Sequence, residues 1–458
     1  MTVRLAIGSD AELVFGRSPR PVTTRRGVRI GAGSVIPEIN FTLPMTEISD
    51  ATWPAIREQY RSMIDAICAR AVDLEVPDLL VEFETLPEMM RPPSRALEIA
   101  TDLSERLEHF HSHSGLRSAL RLTPNDIRDF ARPPLLRRGP FWEAMVETFG
   151  GAAGAGADLL AIESTGGKEV SDEALLTADL EALLLALGVL APRDTAFLWE
   201  HVVAVCRSGG VIPSGDSACA FANTAMTLAE QRLVPRVFAA VVRVAAVPRS
   251  LVAYEAGAVG PSKDCAYEGP YIKALTGVPI SMEGRTAAVA HLSPVGNIAQ
   301  AVCDCWSNES VQNVRLLSTY APTVSLEQLA YDCRLMNVAA ADPGGALVLR
   351  DWLVSSDASR DPQAWVLRPD VVLRIAQSIA AAPTPYARTR IAVLATLDEL
   401  GRASIDGRLQ LPALEVRWLE RLRAQAVAIP EEEERFLEQA LPSFAHRFIP
   451  AEYGLPDR

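Results

Sequence analysis

Residues 159–187 read LLAIESTGGKEVSDEALLTADLEALLLAL. A short apolar run, LLAIES, stops at a pair of glycines. A longer stretch follows in which Leu175, Leu176, Leu180, Leu183, Leu184 and Leu187 recur at helical spacing. Asp172 is placed to cap that helix. A strand-length run feeding an amphipathic helix is one βα unit, and the rest of the chain repeats it.

Upstream, SVIPEINF is followed by SDATWPAIREQYRSMIDAICARAVDL. LLVEFET is followed by SRALEIATDLSERLEHFHSH, and SALRLT by FWEAMVETFGG. Downstream, VVAVCRSGGVIPSGDSACAFANTAMTLAEQ and RVFAAVVRVAAVPRSLVAYEAGAVGP read as two further units. Repeated βα units imply parallel strands joined by helical crossovers. The count points to an α/β protein of the (β/α)8 TIM-barrel type, with an open doubly wound sheet as the alternative. GGAAGAGADLL precedes a strand instead of opening a helix, so its glycines form a turn and not a dinucleotide fingerprint. After about Pro343 strand-like runs give way to helical ones, PDVVLRIAQSIAAA, ALEVRWLERLRAQAVA and IPEEEERFLEQAL among them. The expected division is a barrel over residues 1–342 and a helical C-terminal extension over 343–458.

The composition is globular, with 49% hydrophobic and 22% charged residues in 458. A formal net charge of −13 argues against nucleic acid, which requires a basic footprint, and against docking on an anionic membrane. The opening MTVRLAIGSDAELVFG carries charges and lacks a long apolar core, and the apolar run VFAAVV stops at Arg243. Neither a secretory signal nor a membrane span is expected, and the cytoplasm is the expected compartment. Seven scattered cysteines suit free thiols or metal ligands better than a disulfide framework.

Three residue types that zinc uses stand where apolar runs give way to small, polar segments: Glu163, Cys219 and Cys265. In a parallel barrel the C-terminal strand ends share one face, so the three can meet above one mouth. Two thiolates and one carboxylate are three protein ligands for a metal that takes four, and the open position is where substrate chemistry occurs. The plainer reading is a pair of buried free thiols and an ordinary strand-end glutamate.

Longer strings bear on the choice. RRGVRIGAGSVIPEINFTLP (25–44), IESTGGKE (162–169), APRDTAFLWE (191–200), SGDSACAFANTAMTLAEQ (214–231), PRVFAAVVRV (235–244) and GPSKDCAYEGPYIKALTGVPISMEG (260–284) resemble the zinc-containing, methanol-activating subunit of methanol:corrinoid methyltransferases. WSNESVQNVRLLS and LEQLAYDCRLMN extend the resemblance towards residue 337, and it weakens in the C-terminal region. The resemblance implies a (β/α)8 barrel and one Zn2+ per chain held by Glu163, Cys219 and Cys265. It implies transfer of a methyl group from methanol, or from another small methyl donor such as a methoxylated compound, to cobalt(I) of a corrinoid carried by a partner protein. A homodimeric core is implied too. With Zn2+ the three anionic ligands leave the site at −1, so methanol is expected to bind as the neutral alcohol. A zinc hydrolase is the less favoured alternative, because it would use harder ligands such as His.

Asp216 and Asp264 stand close before the two cysteines and could hydrogen-bond a ligand or protonate the leaving oxygen; capping a helix or turn is the simpler role. Lys168 and Lys263 could soften the site's charge. Glu38, Asn40 and Glu84 end earlier strands and could line the same mouth. His109, His111 and His113 form a surface HFHSH tract. Cys303 and Cys305 are read as packed on a helix, with a CxC metal pair as the alternative. Ser217, His291 and an Asp could compose a triad, but no nucleophile elbow supports one.

Overall fold

The structure, a computed structural model, describes residues 5–42, 47–262, 268–283, 294–311, 315–316 and 319–456. An antiparallel hairpin, β1 (Arg17–Thr23) and β2 (Arg29–Ala32), precedes the barrel. Seven parallel strands follow: β3 (Ile36–Thr42), β4 (Asp78–Glu84), β5 (Arg117–Thr123), β6 (Leu159–Ile162), β7 (Ile212–Asp216), β8 (Ser281–Glu283) and β9 (Cys305–Val311). Their order is β7-β6-β5-β4-β3-β9-β8.

The gap between β7 and β8 is filled by residues 259–262. Val259 N donates to Pro213 O at 2.8 Å and Gly260 N to Ser214 O at 2.7 Å, in the manner of a parallel partner of β7. Ser262 bridges Ile280 on the other side. Eight staves therefore surround the axis, and the expected (β/α)8 closure holds.

Helices cover the outside. They are α1 (Trp53–Asp73), α2 (Pro93–Ser114) and α3 (Gly139–Gly151) in the first three crossovers. After β6 come α4 (Lys168–Thr177), α5 (Leu180–Leu184) and α6 (Ala191–Gly209), with a π turn at Leu185–Leu190. After β7 come α7 (Cys219–Glu230), α8 (Arg236–Ala245) and α9 (Val247–Ala256). Then α10 (Gly269–Thr276) leads to β8, and helix Ala321–Ala341 packs on β3 and β9. Beyond residue 343 the chain is helical. Helix Pro385–Ile405 packs on α8, α9 and the π turn, so the helical layer draws on chain from both sides of that point.

Three sequence expectations change. RVFAAVV is helix α8 and not a strand, because a short apolar run buried on every side carries no readable period. The Leu175–Leu187 helix is broken at Ala178, which adopts a left-handed conformation. Asp179, not Asp172, caps the second piece, accepting from Glu181 N and Ala182 N. Finally, Leu180–Gly209 and Arg236–Ala256 are long and apolar enough to cross a membrane, contrary to the sequence reading, but 83% and 100% of their apolar windows lie inside the protein.

The barrel interior explains how a site arises at one end. Strand side chains alternate between faces. Leu79, Val81 and Phe83 face the helices, while Leu80 joins Ile36, Ala119, Leu159 and Cys305 in a separate floor cluster. Val28 and Ile30 of the hairpin plug that floor, both fully buried. Above it the inward positions turn polar. Arg121 pairs with Glu38, Thr123 Oγ1 donates to Glu82 at 2.6 Å, and Arg121 Nη1 reaches Ser262 O across the barrel at 2.7 Å. Apolar floor and charged middle leave the strand ends at the top as the open rim.

Candidate functional site at the barrel rim

Glu163 follows β6 on the inward face that Leu159 and Ala161 share, so the alternation carries its carboxylate up to the rim. It borders a cavity of about 280 Å3 with Glu84, Thr123, Asp126, Asp129 and Ala220. The two residues that follow it are held by carboxylates. Ser164 N and Oγ donate to the two oxygens of Asp216 at 3.0 and 2.7 Å. Thr165 N donates to Asp126 at 2.9 Å, and Arg128 bridges Asp126 to Asp194. Burial opposes the charge on Asp126, yet Arg128 and the amides of Thr165 and Arg128 outweigh it and hold this carboxyl below its usual range. Burial pushes Asp129 up, helped by the Asp126 charge.

The glycines of ESTGGKE have separate reasons. A side chain on Gly166 would stand 2.3 Å from Asp194 Oδ2. Gly167 has φ +89 and donates to the Tyr453 hydroxyl at 2.8 Å.

Cys219 is the first residue of α7 and 1% exposed. Strands β6 and β7 are neighbours, with Ile162 opposite Asp216, so Glu163 and Cys219 come from adjacent strand ends. Ser217 Oγ lies 3.0 Å from Cys219 Sγ. Ala218 N donates to Glu268 Oε1 at 2.8 Å, and Ser250 Oγ donates to the same oxygen at 2.7 Å. Arg249 of α9, wholly buried, gathers the β7 loop. Its Nη1 donates to Ser217 O at 2.5 Å, and its Nη2 pairs with Asp216 at 3.0 Å and donates to Ser164 Oγ.

Cys265, Asp264, Lys263 and His291 lie outside the described residues. Of the described residues nearest to Cys265 in the chain, Ser262 accepts from Arg121, and Glu268 accepts from the amide of Ala218, next to Cys219. Among the described residues no group of three His, Cys, Asp or Glu side chains converges as a metal site. The donors that are described, a carboxylate bordering the cavity and a buried thiol at the neighbouring strand end, suit zinc, which accepts both oxygen and sulfur.

Asp216 lies among donors from the β6 loop, α6 and α9. Its oxygens accept from Ser164 twice and from the Trp199 indole at 2.8 Å, and they face Arg249. A carboxylate so engaged ties together the loops that follow β6 and β7. Lys168 pairs with Asp172 at 2.7 Å along α4. Glu38 and Asn40 are buried below the rim, and Glu84 reaches the cavity. His109, His111 and His113 sit in the last turns of α2, with His111 Nδ1 3.0 Å from Leu116 O. Cys303 precedes β9 and Cys305 opens it, neither on an α-helix. They fall in two different apolar clusters, which removes the CxC pair. Arg249 and Glu268 had no signature in the sequence, since the residues they anchor at the site lie 32 to 85 residues away.

A sequence model of the methanol-cobalamin methyltransferase B subunit matches residues 2–454. The chain belongs to that family. Over 457 residues, covering 98% of both chains, it is 37% identical to a methanol–corrinoid protein co-methyltransferase of Methanosarcina barkeri. It superposes with a TM-score of 0.94 on a chain of the methanol:cobalamin methyltransferase complex MtaBC from Methanosarcina barkeri, at 36% identity and 99% coverage of both chains. The B-subunit barrel anticipated from the strings at residues 25–44, 162–169 and 214–231 is thereby the fold of this protein.

Proposed function

We propose that this chain activates methanol and delivers its methyl group to the cobalt of a corrinoid protein, with one zinc ion held by Glu163, Cys219 and Cys265. The observation that carries the reading is the placement of a carboxylate that borders a cavity and a buried thiol at the adjacent ends of β6 and β7, in a chain of this family. The balanced step converts methanol, cobalt(I) and a proton into methylcobalt(III) and water. When bound, zinc supplies a Lewis acid for the methanol oxygen, whose departure as hydroxide is otherwise unfavourable.

The remaining work falls to the chain's own residues. Asp216 and Asp126 hold the two residues that follow Glu163 and so constrain where its carboxylate projects. Arg249 and Glu268 fix the carbonyl and amide that precede Cys219. Together they hold two donors in place before any ligand arrives, which is how a metal site gains affinity and geometry. Asp129 and Glu84 border the cavity beside Glu163, and burial favours the protonated form of Asp129. The barrel mouth must admit a corrin face, and a partner seated there excludes water. A dimeric core is part of the same reading and is read out by sedimentation.

The test is methyl transfer from methanol to cob(I)alamin, followed by its spectrum, with metal content measured in parallel. Wild-type protein is expected to hold one zinc per chain and to lose transfer on chelation. Cys219→Ser and Glu163→Gln are expected to lose both metal and transfer. Undiminished transfer by Cys219→Ser would remove that thiol from the mechanism. A panel of methyl ethers in the same assay separates methanol from other methyl donors.

A further inference from the structure

The hydrogen bond between Ser217 and Cys219 has no part in closing the barrel, yet the fold specifies it closely. Ser217 is 1% exposed, so water does not satisfy its hydroxyl. Among the described residues the hydroxyl has one partner, Cys219 Sγ at 3.0 Å. Its carbonyl is gripped by Arg249 at 2.5 Å, and the next amide, Ala218 N, is gripped by Glu268. The peptide group that follows Ser217 is thus pinned at both its carbonyl and its amide by buried charged residues from other elements. A buried hydroxyl held so firmly towards a sulfur atom costs side-chain freedom, and packing alone does not require it.

We propose that Ser217 is a positioning residue for the metal site: its hydroxyl donates to the Cys219 sulfur, orients it and draws charge from it. This rests on the reading of Cys219 as a zinc ligand. A coordinating thiol has lost its proton, so the sulfur can only accept and the hydroxyl must donate. The bond has two effects. It supplies a donor to the sulfur's charge in a buried place. It also reduces the electron density that the sulfur gives to the metal. In a site with three anionic ligands, less donation leaves a metal that pulls harder on the methanol oxygen.

The experiment loads Co2+ in place of zinc in wild type, Ser217→Ala and Ser217→Thr, and records the sulfur-to-cobalt charge-transfer absorption. Zinc affinity is measured in the same proteins by competition with a chromophoric chelator. Ser217→Ala is expected to move the absorption to longer wavelength and to weaken zinc binding about 10-fold, the lower end for loss of a partner hydrogen-bonded to a ligand. Ser217→Thr, which keeps the hydroxyl, is expected to return both towards wild type. A wild-type protein that binds Co2+ without any sulfur charge-transfer band would overturn the ligand assignment itself. A band present in wild type and unmoved in Ser217→Ala, with zinc affinity unchanged, would overturn the role of Ser217 alone.

Discussion

Replacing Asp216 by Asn tests whether the rim is held by buried charge. The carboxylate is fully buried and faces Arg249, which is equally buried, at 3.0 Å. It also accepts from Ser164 N, Ser164 Oγ and the Trp199 indole. Asn keeps one acceptor and turns the other into a donor aimed at groups that already donate. Arg249 is left without its closest counter-charge. Breaking one side of a buried pair costs about 3–5 kcal/mol. Unfolding entropy of about 2.1 cal/mol/K per residue gives roughly 1 kcal/mol/K for a chain of this length. The expected fall in Tm is therefore about 3–5 °C. The measurement is calorimetry at one scan rate on metal-stripped protein, so that metal binding does not mask the change. Arg249→Met should cost a similar amount. The double variant Asp216→Asn/Arg249→Met should lose about 1–3 kcal/mol less than the sum, because the two residues share one network. An Asp216→Asn protein that melts within about 1 °C of wild type would refute the argument.

Further expectations concern parts of the fold away from that pair. Burial raises the Glu169 carboxyl to about 7 from its ordinary 4.5, against a hydrogen bond from Tyr453. Its contribution to stability is full below about 4.5 and is lost as pH rises through about 7, so Glu169→Gln should gain Tm over wild type across that window; parallel curves from pH 4.5 to 8 would exclude the effect. Ile30→Ala opens a hole in the barrel floor and should cost about 2–5 kcal/mol in denaturant unfolding while leaving turnover per folded molecule unchanged. Gly166→Ala places a methyl group 2.3 Å from Asp194 Oδ2, so it should displace the loop carrying Glu163 and lower zinc affinity; unaltered metal binding would show that the loop can yield.

Much of this architecture was legible in the chain, for identifiable reasons. LLVEFE alternates cleanly between helix-facing and inward residues, and it became β4. ALEVRWLERLRAQAVA became a helix over Ala413–Ala428, the same sixteen residues. Where burial is complete on all sides the signal vanishes, and α8 was mistaken for a strand on that account. The sixth stave was invisible because residues 259–262 contribute only a few ladder bonds. At the site, Glu163 and Cys219 could be found because each ends a run that reads as a strand and carries a donor atom. Arg249 and Glu268 could not, since what they do depends on contacts with loops far away in sequence. For Asp216 the proximity to Cys219 is visible in the sequence, and the four donors that surround its carboxylate are not.

The hairpin that seals the floor has a kinetic corollary. With Val28 and Ile30 stopping the bottom of the barrel, the upper doorway is the route for small molecules among the described residues. If a corrinoid carrier docks over that doorway, it shuts out the alcohol as well as the solvent. Turnover would then follow a compulsory sequence in which the alcohol enters first, the carrier arrives second, and product water waits for the carrier to depart. Steady-state rates should accordingly show inhibition by excess carrier that rising methanol relieves.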